Sequence, residues 1–189
     1  MSGSVRRRLH AYLSVTGGTA VAAEVDQFIL TPRTVVVPTP PEVVARRMEA
    51  DDFFAEVDLG PAAEAAGHER FASVRFPPTW PGEAWSAFVG WLERRREGRP
   101  APWVATVVDR ESLEAIGQMG CISLPDADGR VEIRYATSAP QRDRGLATEA
   151  GGAFVDWLLA RADVHAVVSE CLVTNAASVR VLEKVGFEL

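Results

Sequence analysis

Three β-branched runs, then a long helix, a fourth run and a second helix set the architecture this chain can adopt. The runs are "WVATVVD" (103–109), "GQMGCISL" (117–124) and "RVEIRYAT" (130–137). "PDADG" (125–129), rich in hairpin-turn residues, joins the last two. "LATEAGGAFVDWLLARA" then places Leu146, Ala150, Phe154, Trp157 and Leu158 on one helical side. "HAVVSECLV" (165–173) reads as a buried strand, and "NAASVRVLEKVG" as a helix capped by Asn175 and stopped by Gly186. Such an order is satisfied by a mixed sheet with helices on its faces.

Upstream, "RTVVV" (33–37) predicts a short strand. Thr39, Pro40, Pro41 and Glu42 form a helix start, so a helix is expected over about 40–50. Residues 51–81 read as irregular, with "FPPTWPGE" a proline-stiffened loop. In "EAWSAFVGWLERRREG", Trp85, Phe88, Trp91 and Leu92 share one helical face, which core packing explains. The expected division is an N-terminal arm, residues 1–27, and a single domain, 28–189. The arm's three arginines precede a short apolar stretch, but Ser14, Thr16, Gly17 and Gly18 break it, which argues against a secretory leader. No run approaches the roughly 20 apolar residues of a membrane span, so a cytoplasmic protein without membrane contact is expected.

The 189 residues carry a net charge of −6, with a pI near 5.2. That balance argues against general nucleic-acid binding, which needs a basic surface. It leaves room for one local basic site that holds a phosphorylated ligand. The two cysteines, Cys121 and Cys171, form no CxxC or His/Cys cluster and read as buried free thiols. His10, His68 and His165 are scattered, and no metal site is expected.

"QRDRGLATEA" (141–150) lies between the third run and the long helix. A strand–loop–helix junction exposes unpaired amides at the positive end of the helix dipole. Gly145 lets the backbone approach a ligand, and Arg142 and Arg144 add mobile positive charge. These parts suit a phosphate cradle, although a glycine and two arginines at a helix start also occur as plain surface chemistry. Neither GxxxxGK[ST] nor GxGxxG is present.

Arg142-x-x-Gly145-x-Ala147, continuing into "ATEA", resembles the acetyl-CoA signature of the GNAT N-acetyltransferases. "NAASVRVLEKVGF" is similar to the family's following motif, Asn-x-x-Ser, a helix and Gly-Phe. Within the family the chain looks most like the RimJ/RimL branch. The resemblance implies an α/β (α+β) fold with a mixed, largely antiparallel central sheet flanked by helices, and a splayed strand pair that holds acetyl-CoA. It implies a co-substrate, acetyl-CoA, and no metal. Its acceptor would be a primary amine, either a protein N-terminus or a small molecule. An acyl-CoA-binding or regulatory module with little turnover is the alternative.

Carried onto this chain, the signature implies that Arg142, Asp143, Arg144, Gly145, Leu146, Ala147 and Thr148 hold the pyrophosphate. Tyr135, Ala136, Thr137 and Asn175 would contact the pantetheine arm. Glu132 is the candidate base, although it also reads as a solvent-facing partner of Arg134. Ser178 could donate to the departing sulfur; it could equally be a small helix residue near the coenzyme. The acceptor pocket is expected among His68, Arg75, Trp80 and Glu83, with Trp80 and Glu83 as its substrate residues. Two departures stand out. Asp143 replaces a frequent glycine, and Leu182 occupies the position seven residues after the asparagine where the family often has a tyrosine acid. "VGFEL" stops at Leu189 as a strand begins, and the resulting open sheet edge suggests cover by the arm, a homodimer or a longer natural chain.

Overall fold

The computed structural model describes residues 8–14 and 27–188, with the side chains of Arg8, Ser14 and Glu83 left out. The strands are β1 (Arg8–Ser14), β2 (Ile29–Leu30), β3 (Thr34–Pro38), β4 (Phe53–Asp58), β5 (Phe71–Phe76), β6 (Val104–Asp109), β7 (Ala115–Cys121), β8 (Arg130–Thr137) and β9 (Ala166–Leu172). The helices are α1 (Pro41–Arg47), α2 (Pro61–Ala65), α3 (Trp85–Arg96), α4 (Leu146–Leu159) and α5 (Ala176–Val185).

Seven strands form one sheet in the order β1-β9-β8-β7-β6-β3-β2, and β4 and β5 form a separate pair. Every neighbouring pair in the large sheet is antiparallel except β8 and β9. A parallel pair needs a long crossover, and α4 supplies it. The result is the mixed, largely antiparallel sheet with flanking helices.

Alternation along β8 decides which side chains face which layer. Val131 and Ile133 pack with Leu146, Ala150, Phe154 and Leu182 in one core, beneath α4 and α5. Trp103 stacks on Phe154 and Trp157, with ring centroids 4.7 Å apart in both pairs. The opposite face carries a second core, where Val35, Val37 and Val108 meet the side chains of α1, α3 and the β4–β5 pair. Phe88, Trp91 and Leu92 are buried there, so the apolar face of α3 is core.

Residues 51–81 differ from expectation. They form β4, α2 and β5, paired in register from Phe53↔Phe76 to Asp58↔Phe71. The alternation is present in "FFAEVD" and "FASVRF", where Phe53, Val57, Ala72, Val74 and Phe76 point inward. The residues between them, including Gly60 and Pro61, hide the pairing from a short window.

The arm also carries regular structure. β1 pairs with β9 from Arg8↔Leu172 to Ser14↔Ala166, and Ala11 is 1% exposed. Tyr12 and Glu188 exchange backbone hydrogen bonds of 2.9 Å each, so "FEL" contributes a single bridge on the outer side of β1. Residues 8–14 of the arm thus cover the β9 edge, the first of the three covers expected for the open sheet edge.

Candidate acyl-coenzyme site

β8 and β9 pair only from Arg130↔Ala166 to Ile133↔Ser169. At the fork, the Ser169 hydroxyl donates to the Ile133 carbonyl at 3.3 Å. Beyond it the strands part, and β8 runs on to Thr137 with its β7 side paired. The edge of Arg134–Thr137 that faces β9 is left without a ladder partner among the described residues. A narrow cleft lies beside this strand end, lined by Gly117, Gln118, Tyr135, Ala136, Thr137 and Ala147 among others.

The chain leaves β8 through Ser138 and a short 3-10 turn, Ala139–Gln141. Asp143 follows with φ 59° and Gly145 with φ 77°, both left-handed. At Asp143 this φ is one that glycine adopts without strain. Aspartate is among the side chains that tolerate this region best, and Asp143 is exposed. Gly145 is the N-cap of α4, and the first intrahelical bond is Glu149 N–H to Gly145 O at 3.1 Å. Among the described residues, the amides of 143–148 find no acceptor. Convergent free amides at a helix start favour an anion.

Arg142 folds back, its Nε donating to Thr137 O at 3.2 Å. The Arg144 guanidinium bonds the Gln141 side-chain oxygen. Arg33, in the turn before β3, donates through Nη1 to Arg144 O at 2.9 Å and pairs through Nε with Glu149 at 2.7 Å. Sequence reasoning missed both Arg33 and Glu149. Their only signals are a glutamate in the first helical turn and an arginine in the "TPRT" turn.

Glu132 lies on the sheet face opposite Val131 and Ile133. Its Oε1 is buried with no hydrogen-bond partner, and Arg134 Nη2 stands 4.0 Å from it. The side chain is 29% exposed, so the carboxylate is partly open to solvent. Across the fork, Asn175 caps α5 by accepting from Ser178 N–H at 3.2 Å. Tyr135 spans the gap, its hydroxyl donating to Ser178 O at 3.3 Å. Burial pushes the Tyr135 hydroxyl up to about 12, against the opposing effect of the Ser178 bond and with a smaller upward push from Cys171. It therefore stays a donor at neutral pH. Leu182 is 1% exposed and serves the core, not proton transfer.

The expected acceptor residues are not gathered together. Trp80 is fully buried; it packs edge-on against Phe76 and Phe88 and donates from Nε1 to Gly117 O at 3.1 Å. It therefore supports a cleft-lining strand from behind. Glu83 belongs to the 3-10 turn Gly82–Ala84, and its side chain lies outside the described residues. Arg75 is paired with Asp52 at 2.7 Å and Glu114 at 3.2 Å. His68 bonds Arg110 in a second, wider cleft, also lined by Leu30, Leu59 and Leu113. That cleft lies apart from β8, whereas the first is lined by the end of β8 and the start of α4, at Tyr135, Ala136, Thr137, Leu146 and Ala147. Among the described residues there is no group of three or more His, Cys, Asp or Glu able to hold a metal ion, and no helix is long and apolar enough to cross a membrane. Both cysteines are free.

Comparison with protein families matches residues 44–188 to the acetyltransferase (GNAT) domain. An uncharacterized N-acetyltransferase of Bacillus subtilis strain 168, YjdG, is 33% identical over 87 residues, 46% of this chain and 51% of that protein. The chain thus spans about half the length of that relative. Among solved structures, RimJ of Mycobacterium smegmatis in complex with CoA-disulfide superposes with a TM-score of 0.54 at 16% identity, over 86% of this chain and 76% of that one. RimL, a ribosomal-protein alpha-N acetyltransferase in complex with coenzyme A, gives 0.56 at 12% identity over 85% and 83%.

Proposed function

The chain belongs to the GNAT acetyltransferase family, and from that premise we propose that it moves an acetyl group from acetyl-CoA to a primary amine by direct attack in a ternary complex. The observation that carries this reading is the free edge of β8 beyond Ile133, which runs into the left-handed Gly145 and the unpaired amides of 143–148. Acetyl-CoA brings an activated thioester. The amides of 143–148, with Arg142 and Arg144, hold its pyrophosphate, and the free edge at Tyr135, Ala136 and Thr137 receives the pantetheine arm. Asn175 faces the same arm from α5.

An alkyl ammonium must lose a proton before it attacks, since its pKa lies well above 7. Glu132 takes that proton, directly or through water. As the new N–C bond forms, an amide N–H of the free β8 edge donates to the carbonyl oxygen. The C–S bond breaks, and the Ser178 hydroxyl donates to the departing sulfur. Relatives named for ribosomal-protein acetylation support a protein N-terminus as the acceptor, with a small amine as the other class. The cytoplasm is the proposed setting.

A second reading, an acyl-CoA-binding module with little turnover, is favoured by Leu182, a core residue where the family often has a tyrosine acid. Amine-dependent release of the coenzyme A thiol separates the two readings.

A further inference from the structure

Resting on that reading, we infer that Glu149, Arg33 and Thr31 form a clamp that holds the pyrophosphate loop in its binding shape and shields the bound anion from the Glu149 carboxylate. These are positioning residues, and none is assigned to touch the reacting atoms.

The loop needs such a device. Residues 143–148 have unpaired amides and two left-handed positions, so the loop does not secure itself by internal bonds. It is fastened at one end by Arg142 Nε to Thr137 O. At the other end the fastening comes from the turn before β3, more than a hundred residues upstream. Glu149 Oε1 accepts from the Thr31 hydroxyl at 2.6 Å and from Arg33 N–H at 2.8 Å, and Oε2 accepts from Arg33 Nε at 2.7 Å. Arg33 Nη1 then donates to Arg144 O at 2.9 Å. Its Nη2 stands 3.5 Å from where a Cβ of Gly145 would be.

The Thr31 hydroxyl fits this arrangement. It accepts from Thr34 N–H at 2.9 Å and lies 2.7 Å from the Thr34 hydroxyl, and its single proton has two acceptors in reach, Glu149 Oε1 at 2.6 Å and the Thr34 carbonyl at 2.9 Å, of which the carboxylate is the shorter and the charged one. Thr31 and Thr34 are 6% and 0% exposed, which fixes the turn against the sheet. Charge supplies the second half of the argument. A carboxylate one turn into an anion-binding helix would repel the ligand, and the Arg33 guanidinium neutralises it. Burial works to raise the Glu149 carboxyl, but the bonds from Thr31 and Arg33 outweigh it and hold the group below its ordinary value. Arg33 is the charged side chain acting on it among the described residues.

Calorimetric titration of the full chain with acetyl-CoA, alongside thermal unfolding, tests the clamp. Glu149→Gln keeps the shape but loses the charged acceptor, and affinity should fall about tenfold, the scale of one charge-assisted bond. Arg33→Ala should bind more weakly still, because it leaves the carboxylate facing the anion. The double variant should then bind better than Arg33→Ala alone, a partial rescue that a merely structural role would not give. Arg33→Lys, which keeps the charge but not the fork, should lie between wild type and Arg33→Ala. If the wild type binds acetyl-CoA but Glu149→Gln and Arg33→Lys bind as it does, or the double variant is no better than Arg33→Ala, the clamp is overturned. If the wild type itself does not bind, the coenzyme reading fails, and the clamp with it.

Discussion

Gly145→Val should abolish acetyl-CoA binding while leaving the protein folded, because position 145 has room for a side chain but not for a side chain and a ligand. Its φ of 77° is left-handed, and holding an L-residue there costs about 1–2 kcal/mol, with valine at the upper end. The protein itself offers little resistance, since a Cβ would meet only Arg33 Nη2, at an ordinary 3.5 Å. A loss of about 2 kcal/mol lowers the melting temperature of a chain this size by about 4–8 °C. Binding suffers more. The valine methyls would cover the amides of 145–147, and losing two charge-assisted bonds of about 1.5–3 kcal/mol each weakens affinity by at least about 100-fold. Titration calorimetry with acetyl-CoA and a thermal melt give both numbers on one sample. A variant that melts a few degrees lower yet binds with undiminished affinity would refute the placement of the pyrophosphate. Gly145→Ala, milder in strain, guards against misfolding and should lose affinity in the same direction.

Three further outcomes are expected. Glu132→Gln should leave acetyl-CoA affinity nearly intact and lower turnover by about 100-fold, most at neutral pH, as loss of a general base does; normal turnover on a verified acceptor would assign the proton to another group. Ser178→Ala should reduce turnover by a smaller factor, because a thiolate is a fair leaving group; steady-state kinetics on the same acceptor would show it, and a loss exceeding that of Glu132→Gln would contradict the assignment. Deleting residues 1–14 removes the seven-residue β1 ladder and the buried Ala11, so the melting temperature should drop by about 5 °C or more and light scattering should show self-association through the bared β9 edge; an unchanged melt and mass would mean β1 contributes nothing to the fold.

The pH dependence has a definite sign. The Glu149 carboxyl is held below its unfolded value, so its contribution is present above the usual carboxylate range and is lost as pH falls through the depressed value. Acetyl-CoA affinity of the wild type should therefore decline on the acid side, and the gap between wild type and Glu149→Gln should close there. A gap that persists at pH far below the ordinary carboxylate range, in protein that is still folded, would show that the carboxylate charge is not what binds the loop.

Legibility in the sequence followed the range of the forces involved. Local periodicity reported α3, α4 and α5, since a helix shows its buried face within one or two turns. The left-handed loop at the start of α4 was readable for the same reason: Gly145, its arginines and the helix start are contiguous. β4 and β5 escaped because their alternation is short and only their mutual pairing makes it decisive. β1 escaped because its partner, β9, lies more than 150 residues away in the chain. Trp80 looked like a ligand-facing ring in a proline-rich loop, yet Phe76, Phe88 and the Gly117 carbonyl enclose it. The contact between Arg33 and Glu149 spans 116 residues and follows no period, so only the fold could bring it out.

Release of free thiol from acetyl-CoA, followed across a panel of small amines and N-terminal peptides, tests the central claim most directly. The account predicts thiol release that depends on an amine, saturates in acetyl-CoA, and falls sharply in Glu132→Gln and Gly145→Val. Tight acetyl-CoA binding with no thiol released by any amine or peptide would contradict transfer and leave a binding module in its place.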